Sequence, residues 1–229
     1  MLPCERCICS LRDFRKECSP EFNRIAFFLE YEKGQLIIKE GAPIYSLHFL
    51  CQGKAKMLRT SCLGKRQLVA ILGPGEILGP AALSARKEHE YPYDAVSAER
   101  CLVVSIRKSD LNSLFRHRPT AQNILEELAE IVSFLAYHRI EVAYGGVQAA
   151  LAKSLLELGR KFGKHRAAGK VVEVDLTKVD LADMVGITRE AASRHLLRME
   201  TDGLLAFEKR KAVLLDEHRL ELLSAAIGS

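Results

Sequence analysis

The sequence lacks a long apolar run, a secretory leader and a strong excess of either charge. No stretch approaches the roughly 20 apolar residues that a bilayer-spanning helix needs. Charged residues such as Glu5, Arg6, Arg12 and Asp13 stand where a signal peptide would have its apolar core. The formal net charge of +5 is far below that of a chain that coats nucleic acid. We therefore expect a cytoplasmic protein that has no membrane contact.

Catalytic motifs are missing as well. The sequence has no nucleophile beside a base, no P-loop and no HExxH-like pair, so we do not expect an enzyme. Its 229 residues, 48% of them hydrophobic, can bury one large core or two modest ones. Two domains is the preferred prediction.

The first half of the chain has the pattern of an all-β domain. Between Tyr31 and Arg107, short apolar stretches are interrupted by glycine at intervals typical of a many-turned β structure. Leu47, Phe49 and Cys51 alternate with other residues and would share one face of a strand. The pattern predicts a jelly roll or sandwich.

A long helix is predicted after Arg118-Pro119. Over about 25 residues it would reach about 37 Å, too far for one small domain to cover. The simplest partner is a second copy of the chain, and the alternative is packing on the β domain of the same chain. Apolar residues recur at spacings of four and three, the repeat of a coiled-coil seam. The predicted seam is Ile124, Leu128, Ile131, Leu135, His138 and Val142.

A helix-turn-helix is predicted near the carboxyl end of the chain. Gly186 permits the tight turn, and Thr188 is placed to cap a second helix that runs to about Glu200. The outward face of that helix has residue types that can read bases, because arginine grips guanine, glutamate accepts from cytosine and serine contacts base edges. The predicted base contacts are Arg189, Glu190, Ser193 and Arg194, and Thr188 is included with them among the predicted DNA-binding residues.

A basic wing is predicted after the second helix. Residues 204–207 and 212–215 read as two short strands, and Lys209 and Arg210 lie at the tip between them. Such a tip would contact phosphates without sequence preference.

The competing class of protein is a nucleotide-binding regulatory module of an enzyme or channel. Such a module shares a β-roll but has no winged helix.

The order of these parts resembles the CRP/FNR family of bacterial transcription regulators. The resemblance rests on GPGEILG at residues 73–79, on the long helix and on DLTKVDLADMVGITREAASRHLLRMETDGLL at residues 175–205. It implies an α+β protein that binds a near-palindromic site on double-stranded DNA as a homodimer and contacts RNA polymerase. Its parts would be a cysteine-rich segment (1–20), a cyclic-nucleotide-binding-like β-roll (21–117), a dimerisation helix (118–145) and a winged helix-turn-helix (146–229).

The base-reading residues also resemble one branch of that family. Glu190, Ser193 and Arg194 are similar to the pattern of the FNR branch, whose half-sites resemble TTGAT. Arg189 is closer to the cyclic-AMP receptor branch. The preferred DNA site is therefore a hypothesis of the FNR type.

The sequence argues against a cyclic nucleotide as the signal. Members of the family that bind one have an Arg-Ser pair for the cyclic phosphate, and in this sequence Pro92-Tyr93 stands in the place of that pair. Neither residue provides a charged fork for a phosphate. Arg86 and Lys87 lie nearby and are the alternative phosphate ligands.

The cysteines at the amino terminus are the predicted signal input. FNR-type oxygen sensors also carry a cysteine cluster ahead of the β-roll, but with three ligands near the terminus and one inside the roll. The resemblance implies an iron-sulfur cluster, 4Fe-4S in type, that senses oxygen, nitric oxide or redox state. A thiol-disulfide switch is the alternative, followed by zinc, haem or no sensing. The predicted ligands are Cys4, Cys7, Cys9 and Cys18, with Cys101 as the alternative.

Overall fold

The computed structural model describes residues 11–61, 64, 66–84, 90–144 and 146–225, with the backbone alone for 134–144. The predicted ligands Cys4, Cys7 and Cys9 lie outside the described residues. The chain divides into two compact units, Met1–Val132 and Ser133–Ser229. No helix in the described part is long and apolar enough to cross a membrane.

The first unit is built on a β-roll, as the glycine spacing predicts. Its strands are β1 (Ala26–Tyr31), β2 (Leu36–Ile38), β3 (Ser46–Gln52), β4 (Ala55–Thr60), β5 (Arg66–Leu72), β6 (Ile77–Leu78), β7 (Asp94–Ser97) and β8 (Cys101–Arg107). They form two four-stranded antiparallel sheets with the orders β1-β8-β3-β6 and β2-β7-β4-β5.

The central strand β3 is buried on both faces, which corrects the one-sided alternation expected from the sequence. Leu47, Phe49 and Cys51 are buried as predicted, but so are His48 and Leu50. The reason is that residues from both sheets and from neighbouring helices join one hydrophobic core. A strand covered on both faces reads as a continuous apolar run rather than as an alternating one.

Three short helices belong to the first unit: α1 (Arg12–Glu17), α2 (Ser19–Ile25) and α3 (Leu111–Arg116). Phe14 of α1 and Phe22 of α2 are fully buried in the core of the β-roll. Their rings meet edge to face at 6.3 Å between centroids. The predicted cysteine-rich segment therefore overlaps the folded core from Leu11 onward.

The long helix α4 spans Arg118–Tyr144, close to the predicted range. Its first half corrects the predicted seam. Ile124 is only 1% exposed within this single chain, and Leu128 packs on the same core of the β-roll. A side chain that is already buried has no surface left for a second copy. This part of the helix follows the alternative of packing on the β domain, and the side chains of Leu135, His138 and Val142 lie outside the described set.

The second unit consists of helices packed around a small sheet. Its further helices are α5 (Gly146–Phe162), α6 (Lys178–Val185), α7 (Arg189–Thr201) and α8 (Glu217–Ala225). Its strands are β9 (Gly163–Arg166), β10 (Gly169–Val172), β11 (Leu205–Glu208) and β12 (Lys211–Leu214), in the order β11-β12-β10-β9. The β9-β10 hairpin and α8 were not predicted. Their segments are short and mostly polar, so they carry little periodic signal.

Candidate nucleic-acid interface

Helix α6 and the turn after it have the geometry predicted for the first half of a helix-turn-helix. Thr177 and Asp180 form a reciprocal capping box at the start of α6. Gly186 ends the helix with φ of 76°, a left-handed conformation that favours glycine. The Ile187 amide then donates to the Ala182 carbonyl at 3.0 Å, which closes the turn.

Helix α7 begins where the sequence predicts. The Thr188 hydroxyl accepts a hydrogen bond from the Ala191 amide at 3.2 Å and so caps the helix. Ala192, Leu196 and Met199 are fully buried, as expected for the inward face. These contacts fix the rotation of α7 and therefore which side chains point outward.

The outward face of α7 carries polar side chains that have no partner among the residues the structure describes. Arg189, Glu190 and Arg194 are exposed, and Ser193 is half-buried. In the described part of the chain, none of these four side chains makes a hydrogen bond or an ion pair. Donors and acceptors on one helical face are therefore available to an external ligand.

The wing is a two-residue hairpin with a basic tip. Lys209 has φ of 58° and Arg210 completes the turn between β11 and β12. Both side chains are exposed and, within the described residues, unpaired. The Arg210 carbonyl accepts from the Leu176 amide at 2.6 Å, which ties the tip to the segment before α6.

The neighbouring Lys211 has a structural role instead. Its ammonium group binds Glu173 at 2.7 Å, and Arg166 binds the same carboxylate at 2.7 Å. The hydrogen bond from Lys211 is the main reason that the pKa of Glu173 is lowered. Of the three consecutive basic residues in the wing, Lys209 and Arg210 thus form the exposed tip, and Lys211 is held by Glu173.

Sequence reasoning missed one exposed residue on α7. Leu197 is 60% exposed, although a leucine in a helix-turn-helix is usually assigned to the core. It follows Arg194 by three positions and Glu190 by seven, so it shares their face. The available signal was this spacing, because the preceding residue, Leu196, already takes the inward position.

The interior of the β-roll has a polar cluster that is bound by the chain itself. The Tyr91 hydroxyl donates to the Ser46 carbonyl at 2.6 Å and lies 3.4 Å from Nε2 of His48. Tyr93 accepts from the Gly79 amide at 2.8 Å. Burial lowers the pKa of His48 to about 4 and raises the pKa of Tyr93 to about 12. Both side chains are therefore neutral at ordinary pH.

The glycine turn that begins the GPGEILG segment uses its glutamate in a similar way. The Glu76 carboxylate accepts from the Gly73 amide at 2.7 Å. The Glu76 carbonyl accepts from the Leu50 amide, and the Gly75 amide donates to the Leu50 carbonyl. Backbone hydrogen bonds of Gly75 and Glu76 thus hold the turn against β3.

The described cysteines differ in environment. Cys18 is half-buried between α1 and α2. Cys101 is 1% exposed, and its thiol donates to the carbonyls of Lys54 and Glu99 at 3.2 and 3.3 Å. Burial raises the pKa of the Cys101 thiol, which favours the protonated form. The described residues contain no group of three or more side chains that could hold a metal ion.

Two family models match this chain. Residues 28–118 match the cyclic nucleotide-binding domain, and residues 149–223 match the Crp-like helix-turn-helix domain. The first range contains the strands of the β-roll from Phe28 of β1 onward, and the second contains α6, α7 and the wing.

Known proteins resemble the chain over most of its length. A CRP-like cAMP-activated global transcriptional regulator of Mycobacterium tuberculosis is 26% identical over 84% of this chain and 85% of its own. The nitrogen fixation regulation protein FixK of Bradyrhizobium diazoefficiens is 26% identical over 90% of this chain and 85% of its own. The structure of FixK2 from Bradyrhizobium japonicum aligns with a TM-score of 0.71, at 23% identity, over 87% of this chain and 97% of that one. At this identity the structural likeness shows the fold alone.

Proposed function

We propose that this chain, a DNA-binding transcription regulator of the CRP/FNR type, reads a near-palindromic DNA site as a homodimer and receives its signal at the cysteine-rich amino terminus. It has the fold of that family, a β-roll followed by a helix-turn-helix. Regulators of this family bind DNA and act as dimers.

The observation that carries the DNA-binding proposal is the polar face of α7, whose side chains have no partner in the described part of the chain. Arg189 and Arg194 would each grip a guanine, Glu190 would accept from the amino group of cytosine, and Ser193 would contact a base edge. Lys209 and Arg210 on the wing tip would bind phosphates and set the register. Two such units related by a two-fold axis would read half-sites about one helical turn apart.

Selection of DNA sites from a random pool tests this assignment. We expect the wild type to select an inverted repeat, and Glu190→Ala to lose discrimination at the C·G pair, a loss of about 1 to 3 kcal/mol there. Glu221→Ala, which removes an exposed glutamate from α8, is the matched control and should select the same site. Absence of any DNA binding at low salt would refute the function itself, and unchanged selectivity of Glu190→Ala would refute only the base assignment.

The dimer contact is proposed one position along from the predicted seam. On α4, Leu125 and Val132 are 66% and 65% exposed, and Ala129 lies between them on the same face. Large apolar side chains at positions i and i+7 of one helix form the seam of a coiled coil. A second copy of the same helix is the proposed occupant of this face.

Light scattering tests the proposed dimer face. We expect Val132→Glu to give a monomer, because two carboxylates would be buried in the interface. Val69→Glu changes an exposed valine of β5 and should leave the dimer intact. If Val132→Glu is still a dimer, the interface lies on another surface and the proposed dimer face is wrong.

The proposed input is a set of thiolate ligands at the amino terminus. Cys4, Cys7, Cys9 and Cys18 together match the number of thiolates that an iron-sulfur cluster binds. Cys101 is left out of the proposed ligand set, because its buried thiol donates to backbone carbonyl groups. Of the proposed ligands the structure describes Cys18, which is joined directly to α1 and α2 and so to the core. A bound cluster would supply sensitivity to oxygen or nitric oxide.

Anaerobic purification tests the proposed cluster. We expect absorbance near 400 nm with iron and acid-labile sulfide, lost in Cys7→Ser and retained in Cys101→Ser. A colourless anaerobic protein that forms a disulfide on oxidation would favour the thiol switch instead. Retention of the absorbance in Cys7→Ser would refute this ligand set.

A cyclic nucleotide is not the proposed signal. Tyr93 and Glu76 are engaged with backbone amides, and Pro92 has no amide hydrogen to offer. Arg86 and Lys87, the alternative phosphate ligands, lie outside the described residues. Because one relative is named as cAMP-activated, calorimetric titration with cyclic AMP and cyclic GMP is the direct test. Micromolar binding of either would overturn this part of the proposal.

A further inference from the structure

The exposed leucine on α7 suggests a contact that polar residues cannot make. Glu190, Ser193, Arg194 and Leu197 stand at positions i, i+3, i+4 and i+7 of the helix. Residues with this spacing lie on one face. In homeodomains, four residues with the same spacing on the recognition helix make the major-groove contacts. Leu197 thus occupies the fourth position of a reading face.

The Leu197 side chain does not belong to the buried core of its unit. The inward face of α7 is filled by Ala192, Leu196 and Met199, each with no exposed surface. Leu197 keeps 60% of its surface exposed on a helix whose outer face is otherwise polar at its first turns. An apolar side chain at this place on the proposed reading face can contact an apolar group of the DNA.

The major groove offers one such partner. Thymine presents a C5-methyl group there, whereas the other base edges present donors and acceptors. Leu197 lies about 4.5 Å beyond Arg194 and about 10.5 Å beyond Glu190 along the helix axis. The second distance corresponds to roughly three base-pair steps of 3.4 Å. The methyl group would therefore belong to a base outside the pair read by Glu190.

We propose that Leu197 is a specificity-determining residue that packs on a thymine methyl group in each half-site. The inference rests on the proposed function, because it requires α7 to enter the major groove. It adds one base position to the four polar contacts and gives that position a preference for thymine over cytosine. The contact is apolar, so its strength should not depend on salt.

Replacement of single thymines by deoxyuridine tests the proposal, because it removes only the methyl group. In the site that the wild type selects, each thymine of both half-sites is replaced in turn, and affinity is measured by fluorescence anisotropy. We expect one position at which deoxyuridine weakens wild-type binding about three- to fivefold, as burial of one methyl group predicts. At that position the Leu197→Ala variant should bind both DNAs equally.

A second leucine provides the matched control. Leu222 on α8 is 59% exposed in the same unit, and Leu222→Ala should keep the full sensitivity to deoxyuridine. Because both leucines are largely exposed, neither substitution should unfold the unit.

The outcomes separate this inference from the function on which it rests. The contact is supported if Leu197→Ala loses the sensitivity to deoxyuridine and Leu222→Ala keeps it. Insensitivity of the wild type at every thymine, or equal sensitivity in Leu197→Ala, overturns the contact while DNA binding stands. A wild type that binds no DNA overturns both. Leu197→Ala could also bind the thymine and deoxyuridine sites equally because it no longer dimerises. In that case Leu197 belongs to a protein interface and the proposal is wrong.

Discussion

The interior of the β-roll and the outer face of α7 treat polar side chains in opposite ways. In the roll, Tyr93 and Glu76 accept hydrogen bonds from backbone amides, and Tyr91 donates to a carbonyl. On α7, Arg189 and Glu190 are exposed and, within the described residues, bind nothing in the chain. The first set is used to hold the fold, and the second set is left for a ligand.

The contrast shows that a residue type in a motif does not by itself make a binding site. Glu76 and Glu190 both lie in segments that resemble functional motifs of the same family. The Glu76 carboxylate binds the Gly73 amide of its own turn at 2.7 Å, and the Glu190 carboxylate has no partner among the described residues. The observed partners therefore indicate different roles: Glu76 stabilises its own turn, and Glu190 is available to a ligand.

The largest expected effect is on the free energy of unfolding, when glycine is replaced by alanine once in the β-roll and once in the helix-turn-helix. Gly53 and Gly186 both have left-handed backbones, with φ of 83° and 76°. A methyl group on Gly53 would lie 2.3 Å from the Arg100 carbonyl, whereas one on Gly186 would meet nothing within 4 Å. We expect Gly186→Ala to cost about 1 kcal/mol through backbone strain alone. Gly53→Ala should cost about 3 kcal/mol or more, because the clash adds to the strain.

Urea denaturation followed by circular dichroism measures both costs. Equal losses for the two variants would mean that the turn at Gly53, between β3 and β4, shifts to make room for the added methyl group. The β-roll would then tolerate an added methyl group at Gly53 as well as the turn of the helix-turn-helix tolerates one at Gly186.

A second, smaller effect is expected from the pH dependence of stability. Burial lowers the pKa of His48 from 6.5 to about 4, so the unfolded chain takes up a proton near pH 6.5 and the folded chain does not. The stability that the neutral imidazole provides is complete above pH 6.5 and is lost as the pH falls toward 4. Between pH 7.5 and 5 the loss should be about 2 kcal/mol.

Replacement of the histidine identifies its contribution. In His48→Gln the fall in unfolding free energy between pH 7.5 and 5 should be smaller by that amount. His165→Gln, on the exposed strand β9, should retain the wild-type slope. A wild-type slope in His48→Gln would show that the imidazole is accessible to protons and that the interior of the roll is not closed around it.

The sequence was sufficient for the parts that local chemistry specifies. Gly186 and Thr188 predicted the turn and the cap, because a left-handed residue and a capping hydroxyl are local requirements. The heptad spacing predicted the range of α4 but gave the wrong partner for Ile124, since a repeat shows that a face is buried and not what buries it. The hydrogen bond between Tyr93 and Gly79 joins residues 14 apart in the chain, and no pattern predicts it.

The smallest expected effect separates neighbouring basic residues of the wing. Lys209 is exposed and unpaired within the described part of the chain, whereas Lys211 holds Glu173 at 2.7 Å. If Lys209 binds a phosphate, Lys209→Ala should reduce the slope of log affinity against log salt by about one per protomer, with no change in sequence preference. Lys211→Ala should leave the slope nearly unchanged, because its charge is already engaged. Equal slopes for the two variants would mean that DNA draws Lys211 away from Glu173, and the division between structural and ligand-binding charges would then depend on whether DNA is bound.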